Sequence, residues 1–310
     1  MPLIGRSDLD VFPLCLGGNV FGWTADEPAS FAVLDAYAAA GGNFVDTADA
    51  YSAWAPGHAG GESESILGRW MAERGNRDRM VIATKVGSWE QAKGLGADAI
   101  RRGAEGSLQR LQTDRIDLYY AHRDDPDTPV QETLTAFDEL VREGKVRHIG
   151  ASNFSAPRLA EALAVSDREG LARYEALQPE YNLLERDGYE GELASLVARE
   201  GLSCVPYYGL ASGFLTGKYR RGADVDSPRA GGAARYLDDR GLRVLDALDA
   251  VAEAHAVPVA AVALAWLAAQ PTVVAPIASA RSVEQLADLL AMAELTLSAE
   301  ELARLDQASR

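Results

Sequence analysis

A chain of 310 residues, 47% hydrophobic and 25% charged, can bury a large core. Its formal net charge of −16 disfavours nucleic acid and anionic membrane surfaces as partners, because both call for a basic footprint. No apolar run reaches the ~20 residues of a membrane helix, and residues 1–10 lack the apolar stretch of a signal peptide.

Residues 3–11 read as a small hairpin or an extended cap ahead of the core. Leu14-Cys15-Leu16-Gly17 is a first apolar strand, and Gly17, Gly18 and Gly22 let the backbone turn sharply after it. Residues 28–40 carry Phe31, Leu34, Tyr37 and Ala38 at helical spacing until Gly41-Gly42 stops them. The alternation then recurs. Strands are expected at 44–45, 80–83, 116–121, 146–151 and 175–177, followed by helices at 65–71, 98–111, 130–142, 156–165 and 189–199. A strand at 202–205 leads into an irregular stretch, 207–237, long enough to be a lid or a disordered loop. Helices follow at 239–255 and 259–269, then a last strand at 273–275 with its helix at 283–293. Ser298 and Glu301 form a capping box for a final helix at 298–308. Cys15 and Cys204 lie in separate apolar runs and read as free thiols of a reducing cytoplasm, with no metal site implied.

Near-continuous apolar strands alternating with helices imply a parallel sheet covered on both faces. The fold class expected is α/β: a single-domain (β/α)8 TIM barrel over residues 1–310, with an N-terminal hairpin and extra C-terminal helices. An open doubly wound sheet is the rival, but no G-x-G-x-x-G follows the first strand. In a barrel, the residues after each strand share the C-terminal rim, where such folds place their chemistry. Here those residues are Asp46, Lys85, His122, Ser152-Asn153, Gln178, Tyr207, and Ser279 with Arg281. Singly, each has a bland reading. Asp46 with Lys85 is a rim salt bridge, His122 a satisfied histidine, Tyr51 a loop aromatic, and Asn153 and Gln178 are loop caps. Their coincidence at one rim gives the functional reading its weight.

The residues resemble the aldo-keto reductases over nearly the whole chain. The motifs are Asn43-Phe44-Val45-Asp46-Thr47-Ala48-x-x-Tyr51, Thr84-Lys85, Ile116-Asp117-Leu118-Tyr119-Tyr120-Ala121-His122, Gly144-Lys145-Val146-Arg147-x-Ile149-Gly150-Ala151-Ser152-Asn153, Gln178-x-x-Tyr181-Asn182 and Leu210-Ala211-x-Gly213-x-Leu215-Thr216-Gly217-Lys218. The resemblance implies a barrel that binds NADP in extended form and reduces a small-molecule carbonyl substrate. It implies a catalytic tetrad of Asp46, Tyr51, Lys85 and His122. Charge building on a carbonyl oxygen needs a proton donor beside it, and a free tyrosine, with a pKa of ~10, donates poorly at neutral pH. Lys85 is expected to lower that pKa, Asp46 to fix Lys85, and His122 to orient the substrate oxygen.

By the same resemblance, Ser152, Asn153 and Gln178 hold the nicotinamide carboxamide and Tyr207 stacks on its ring. Gly209, Leu210, Ser212, Gly213 and Lys218 serve the pyrophosphate. Ile277, Ser279, Ala280, Arg281 and Gln285 serve the adenosine end, where Arg281 suggests a 2′-phosphate and hence NADPH over NADH. The chain departs from the family pattern at Gly209, where proline is common, at Leu289, where many members have asparagine, and in a longer 52–61 loop. Trp23, Trp54 and Trp89 are expected to wall an apolar substrate pocket. Arg123 meets a polar substrate group, or pairs with Asp124 or Asp125. Two other functions compete: a cofactor-sensing regulatory subunit with slow turnover, and a Schiff-base or isomerase barrel using Lys85. The second lacks support, because a lysine beside Asp46 stays protonated. A monomer is favoured, with the oligomeric state left open.

Overall fold

Side chains of adjacent strand residues point to opposite faces of a sheet, and this chain uses that period to separate two cores. The computed structural model describes residues 1–222, 225 and 230–310. Its strands are β1 (Cys15–Gly17), β2 (Phe44–Asp46), β3 (Val81–Val86), β4 (Ile116–Ala121), β5 (Val146–Ser152), β6 (Tyr174–Gln178), β7 (Ser203–Cys204) and β8 (Ile277–Ala278). They form one parallel sheet in the order β7-β6-β5-β4-β3-β2-β1-β8. One face gathers Cys15, Phe44, Val81, Ala83, Leu118, Tyr120, Ala176 and Val205 into an inner core, with Ile4, Leu9 and Val11 of the N-terminal segment packed against them. Leu16, Val45, Ile82, Tyr119, Ile149 and Leu177 point the other way, into a larger core shared with the helices.

The helices are α1 (Glu27–Ala39), α2 (Glu62–Arg74), α3 (Ala97–Leu111), α4 (Val130–Arg142), α5 (Ala156–Glu169), α6 (Glu192–Glu200), α7 (Ala230–Ala234), α8 (Asp239–His255), α9 (Val259–Ala268), α10 (Val283–Leu290) and α11 (Ala299–Ser309). Local chemistry sets their starts. Asp26 caps α1 through the Ala29 N–H with proline in the first turn, and Ser298 and Glu301 make the expected capping box on α11. The helix predicted at 189–199 begins at Glu192, because Gly191 at φ 96° precedes it. Val259–Ala268 is apolar all round because it is buried. Among the described residues no single helix is long and apolar enough to cross a membrane.

Two expectations need correction. The last strand is Ile277–Ala278, not 273–275. Val273 forms only an isolated bridge to Cys204, and Val274 N–H donates to Cys204 O at 3.0 Å, on the β7 side. Past Pro276 the same segment turns to β1, with Cys15 N–H donating to Pro276 O and Cys15 in register with Ile277. The stretch therefore bonds to both edges of the sheet, and Ile277 N–H also donates to Pro206 O at 2.9 Å. Second, the irregular 207–237 region contains a 3-10 segment at Ala211–Thr216 and the short α7. Residues 223, 224 and 226–229 of that region lie outside the described residues. At the N-terminus, Leu3 and Asp10 form a single antiparallel bridge.

Candidate active site

The inward rows of the sheet run on into the polar groups at its C-terminal end. Asp46 follows Phe44 by two positions, Lys85 follows Ala83, His122 follows Tyr120, Gln178 follows Ala176, and Tyr207 follows Val205. The period of two therefore aims all five at the same space. Ser152 follows Gly150, where a Cβ runs into the Tyr120 ring, so only glycine fits the inner face there.

At the base of this space Lys85 is buried, with 1% of its surface exposed, and so is Asp46. Lys85 Nζ donates to Asp46 Oδ2 at 2.6 Å, to Thr47 O at 2.8 Å and to the Tyr51 hydroxyl at 2.8 Å. Tyr51 in turn donates to Asp46 Oδ2 at 3.1 Å. The His122 ring stands 6.2 Å from the Tyr51 ring, centroid to centroid, at 71°. Sequence reading thus brings these four groups to one place. A hydrogen-bond chain ties them to the neighbouring strand ends. Gln178 Nε2 donates to Asp46 Oδ1 at 2.9 Å, Ser152 Oγ to Gln178 O at 2.8 Å, Asn153 Nδ2 to His122 O at 3.0 Å, and Tyr207 OH to Asn153 Oδ1 at 2.7 Å.

The electrostatics differ from expectation at Tyr51. Burial first, then the charge of Asp46 and the hydrogen bond to it, hold the phenol well above its ordinary pKa. Asp46 reaches the same hydroxyl as Lys85, and its charge together with burial outweighs the lysine cation. His122 is pushed down to about 3 by burial, then by the charges of Lys85 and Arg123, so its imidazole is neutral at physiological pH. Its Nδ1 is buried without a hydrogen-bond partner.

A cleft of about 1230 Å³ opens above these groups, larger than the ≈ 300–1,000 Å³ of an ordinary small-ligand pocket. Of the residues expected at the site, Asp46, Tyr51, His122, Ser152, Asn153, Gln178, Tyr207, Gly209, Leu210, Ser212, Gly213, Lys218, Ile277, Ser279, Arg281, Gln285, Trp23, Trp54 and Arg123 line it. Lys85 lies beneath it and Ala280 is buried off the lining. Trp89 is a correction. Its indole N–H donates to Ala59 O at 2.7 Å, Arg110 lies 5.0 Å over its ring, and it stays out of the cleft. Sequence reading missed Asn19, Glu180, Tyr208 and Asp288 on the lining. Asn19 Oδ1 accepts from Ser279 Oγ at 2.6 Å, across the β1/β8 seam. The Gly17-Gly18 turn was the one signal in the sequence for a ligand-facing residue there. Leu289, at the departure from the family pattern, is a buried apolar part of the wall.

The far end of the cleft suits an anionic, extended ligand. Ala211, Ser212 and Gly213 take left-handed backbone in succession, at φ 47°, 57° and 90°, and Tyr208 is left-handed as well. Strain of this kind gathers at ligand sites, while the Ala211 and Gly213 N–H groups are themselves bonded within the loop, to Tyr208 O at 2.7 Å and Leu210 O at 2.8 Å. Lys218 and Arg281 line the same region, and neither has a carboxylate partner among the described residues. Gln178 keeps one amide N–H and its carbonyl unused by Asp46, a donor and an acceptor for a carboxamide. These groups fit a nicotinamide dinucleotide.

Comparison with known proteins agrees. The Aldo/keto reductase family profile matches residues 13–310. The chain is similar to an "Uncharacterized oxidoreductase YrpG" of Bacillus subtilis, 37% identical over 98% of this chain and 94% of that protein. It is 37% identical to a "Probable voltage-gated potassium channel subunit beta" of Oryza sativa subsp. japonica, over 92% of this chain and 88% of the relative. Norsolorinic acid reductase B of Aspergillus parasiticus is 33% identical over 99% of this chain and 85% of its own length. The match of profile and relatives to the full run of strands and rim residues leads to one conclusion: the chain belongs to the aldo/keto reductase family and is an oxidoreductase.

Proposed function

We propose that this protein reduces an aldehyde or ketone to the alcohol with NADPH, in a closed (β/α)8 barrel forming one domain over residues 1–310. Barrel closure is supported by the bonds of 273–278 to both sheet edges. The observation that carries the catalytic reading is Lys85 Nζ within 2.8 Å of both the Asp46 carboxylate and the Tyr51 hydroxyl, under a cleft with room for cofactor and substrate. A bound nicotinamide cofactor supplies the hydride. As charge grows on the carbonyl oxygen, Tyr51 gives up its proton, and the elevated pKa of the phenol keeps that proton in place until then. Lys85 stabilises the phenolate left behind. Asp46 holds Lys85, and neutral His122 orients the carbonyl oxygen. Ser152, Asn153 and Gln178 hold the carboxamide and Tyr207 stacks on the ring. The 209–218 loop takes the pyrophosphate, with Ser212 and Lys218 on the cleft lining. Ser279, Arg281 and Gln285 receive the adenosine end, with Arg281 on a 2′-phosphate. A cytoplasmic location is proposed from the two buried free thiols.

Tyr51→Phe tests the reading: NADPH consumption against an aldehyde panel is lost while NADPH binding, read by cofactor fluorescence, persists. Retained turnover in this variant overturns it. The rice relative's printed name favours a second reading, a cofactor-sensing subunit of a larger assembly. Turnover slower than cofactor exchange with every carbonyl tried supports that alternative.

A further inference from the structure

Arg123 directly follows His122 and lines the same cleft. Its sequence neighbours Asp124 and Asp125 are the obvious partners, yet the structure commits both elsewhere. Asp124 accepts from Arg158 Nε at 2.8 Å. Asp125 accepts the Leu95 N–H at 2.8 Å and the Thr128 hydroxyl at 2.7 Å. On the cleft wall the nearby acid, Glu180, is ion-paired to Arg235 at 3.1 Å. Arg123 has no carboxylate within ion-pair distance among the described residues. An exposed guanidinium loses little by standing alone, so its isolation needs a second observation.

That observation is the aromatic surface at the mouth of the same cleft. Trp23 and Trp54 meet edge to face at 5.6 Å, and Trp54 stands 5.9 Å from the Tyr51 ring. Tyr208 packs on Tyr207 at 5.1 Å, its backbone left-handed. Trp54 and Tyr208 nevertheless keep 51% and 45% of their surface exposed. Large rings left open around a concave site are surfaces for a ligand. A flat apolar body and a planar anion are the complement of these walls and this fork of N–H donors.

We propose that the substrate is an aromatic aldehyde or ketone bearing a carboxylate, its ring against Trp23, Trp54 and Tyr208 and its carboxylate on Arg123. The proposal rests on the carbonyl-reductase reading and names its substrate class. The test compares 4-carboxybenzaldehyde with its methyl ester in wild type, Arg123→Met and Arg123→Lys, with NADPH. Wild type is expected to favour the acid by about 10-fold or more in kcat/KM, Arg123→Met to erase that ratio, and Arg123→Lys to keep part of it. Equal use of acid and ester by wild type, or an unchanged ratio in Arg123→Met, overturns the proposal. A binding arm needs no turnover: 4-(hydroxymethyl)benzoate, followed by tryptophan fluorescence, binds about 10-fold more weakly to Arg123→Met, and equal binding overturns the Arg123 assignment. If neither aldehyde is reduced but carboxylate binding depends on Arg123, the anion site stands and the reductase reading falls.

Discussion

Lys85 and Asp46 make a buried ion pair, and its removal one member at a time has a calculable signature. Each is 1% exposed, and the contact is 2.6 Å. Lys85→Met leaves a carboxylate held by Tyr51 and Gln178 alone; Asp46→Leu leaves an ammonium with only Thr47 O and the Tyr51 oxygen. An uncompensated buried charge costs about 3–5 kcal/mol, so each single variant is expected to lose that much stability. In the double variant neither charge remains, and replacing a buried pair by apolar groups is often neutral or better. Its loss should fall several kcal/mol short of the sum of the singles, the coupling expected of groups in direct contact. Urea unfolding of the four proteins, followed by circular dichroism, measures the cycle. None of the three variants should reduce carbonyls, so recovered stability without recovered activity separates the fold from the chemistry. Additive losses would refute the reasoning, since they would mean that the two charges do not stabilise one another.

Three further outcomes follow from particular groups. Because Tyr51 stays protonated below its raised pKa and His122 stays neutral above about 3, kcat/KM for reduction should be flat from about pH 5 to about pH 9; a bell centred near neutrality counts against the assignment. Asp49 is buried with neither carboxyl oxygen hydrogen-bonded, and burial, then the charge of Glu64, raises its pKa to about 8. A carboxyl raised in the folded state stabilises fully below its unfolded pKa and loses that contribution as pH rises through the folded value, here between about 4 and about 8. Asp49→Asn should therefore flatten the fall in urea midpoint across that window and gain roughly 1–3 kcal/mol over wild type at the alkaline end; an equal loss at every pH contradicts this. Arg281→Leu is expected to weaken NADPH binding about 10-fold and leave NADH unchanged, read by fluorescence titration, and parallel losses for both cofactors argue against a 2′-phosphate contact.

The rim was legible because a strand has a period of two. Once Phe44, Ala83 and Tyr120 are assigned to the inner face, Asp46, Lys85 and His122 must converge, whatever the helices do. Contacts made by segments distant in sequence were not legible. Trp54 and Trp89 look alike as loop tryptophans, but the Ala59 carbonyl and Arg110 arriving from α3 engage Trp89 outside the cleft. Val273, Val274 and Ala275 look more strand-like than Ile277 and Ala278, but Pro276 divides the edge contacts between them. The net direction of the Tyr51 shift was not legible for a similar reason. A nearby lysine was foreseen, but the carboxylate oxygen touching both lysine and phenol is a matter of ångströms.

The segment 273–278 works as a clasp. Its first half is stitched to the β7 neighbourhood, its second half to β1, and Ile277 N–H is fastened to the carbonyl just before Tyr207. The polypeptide that presents Ser279 and Arg281 is therefore mechanically joined to the one that presents Tyr207. Backbone hydrogen bonds thus link the two ends of the groove directly, with no helix between them.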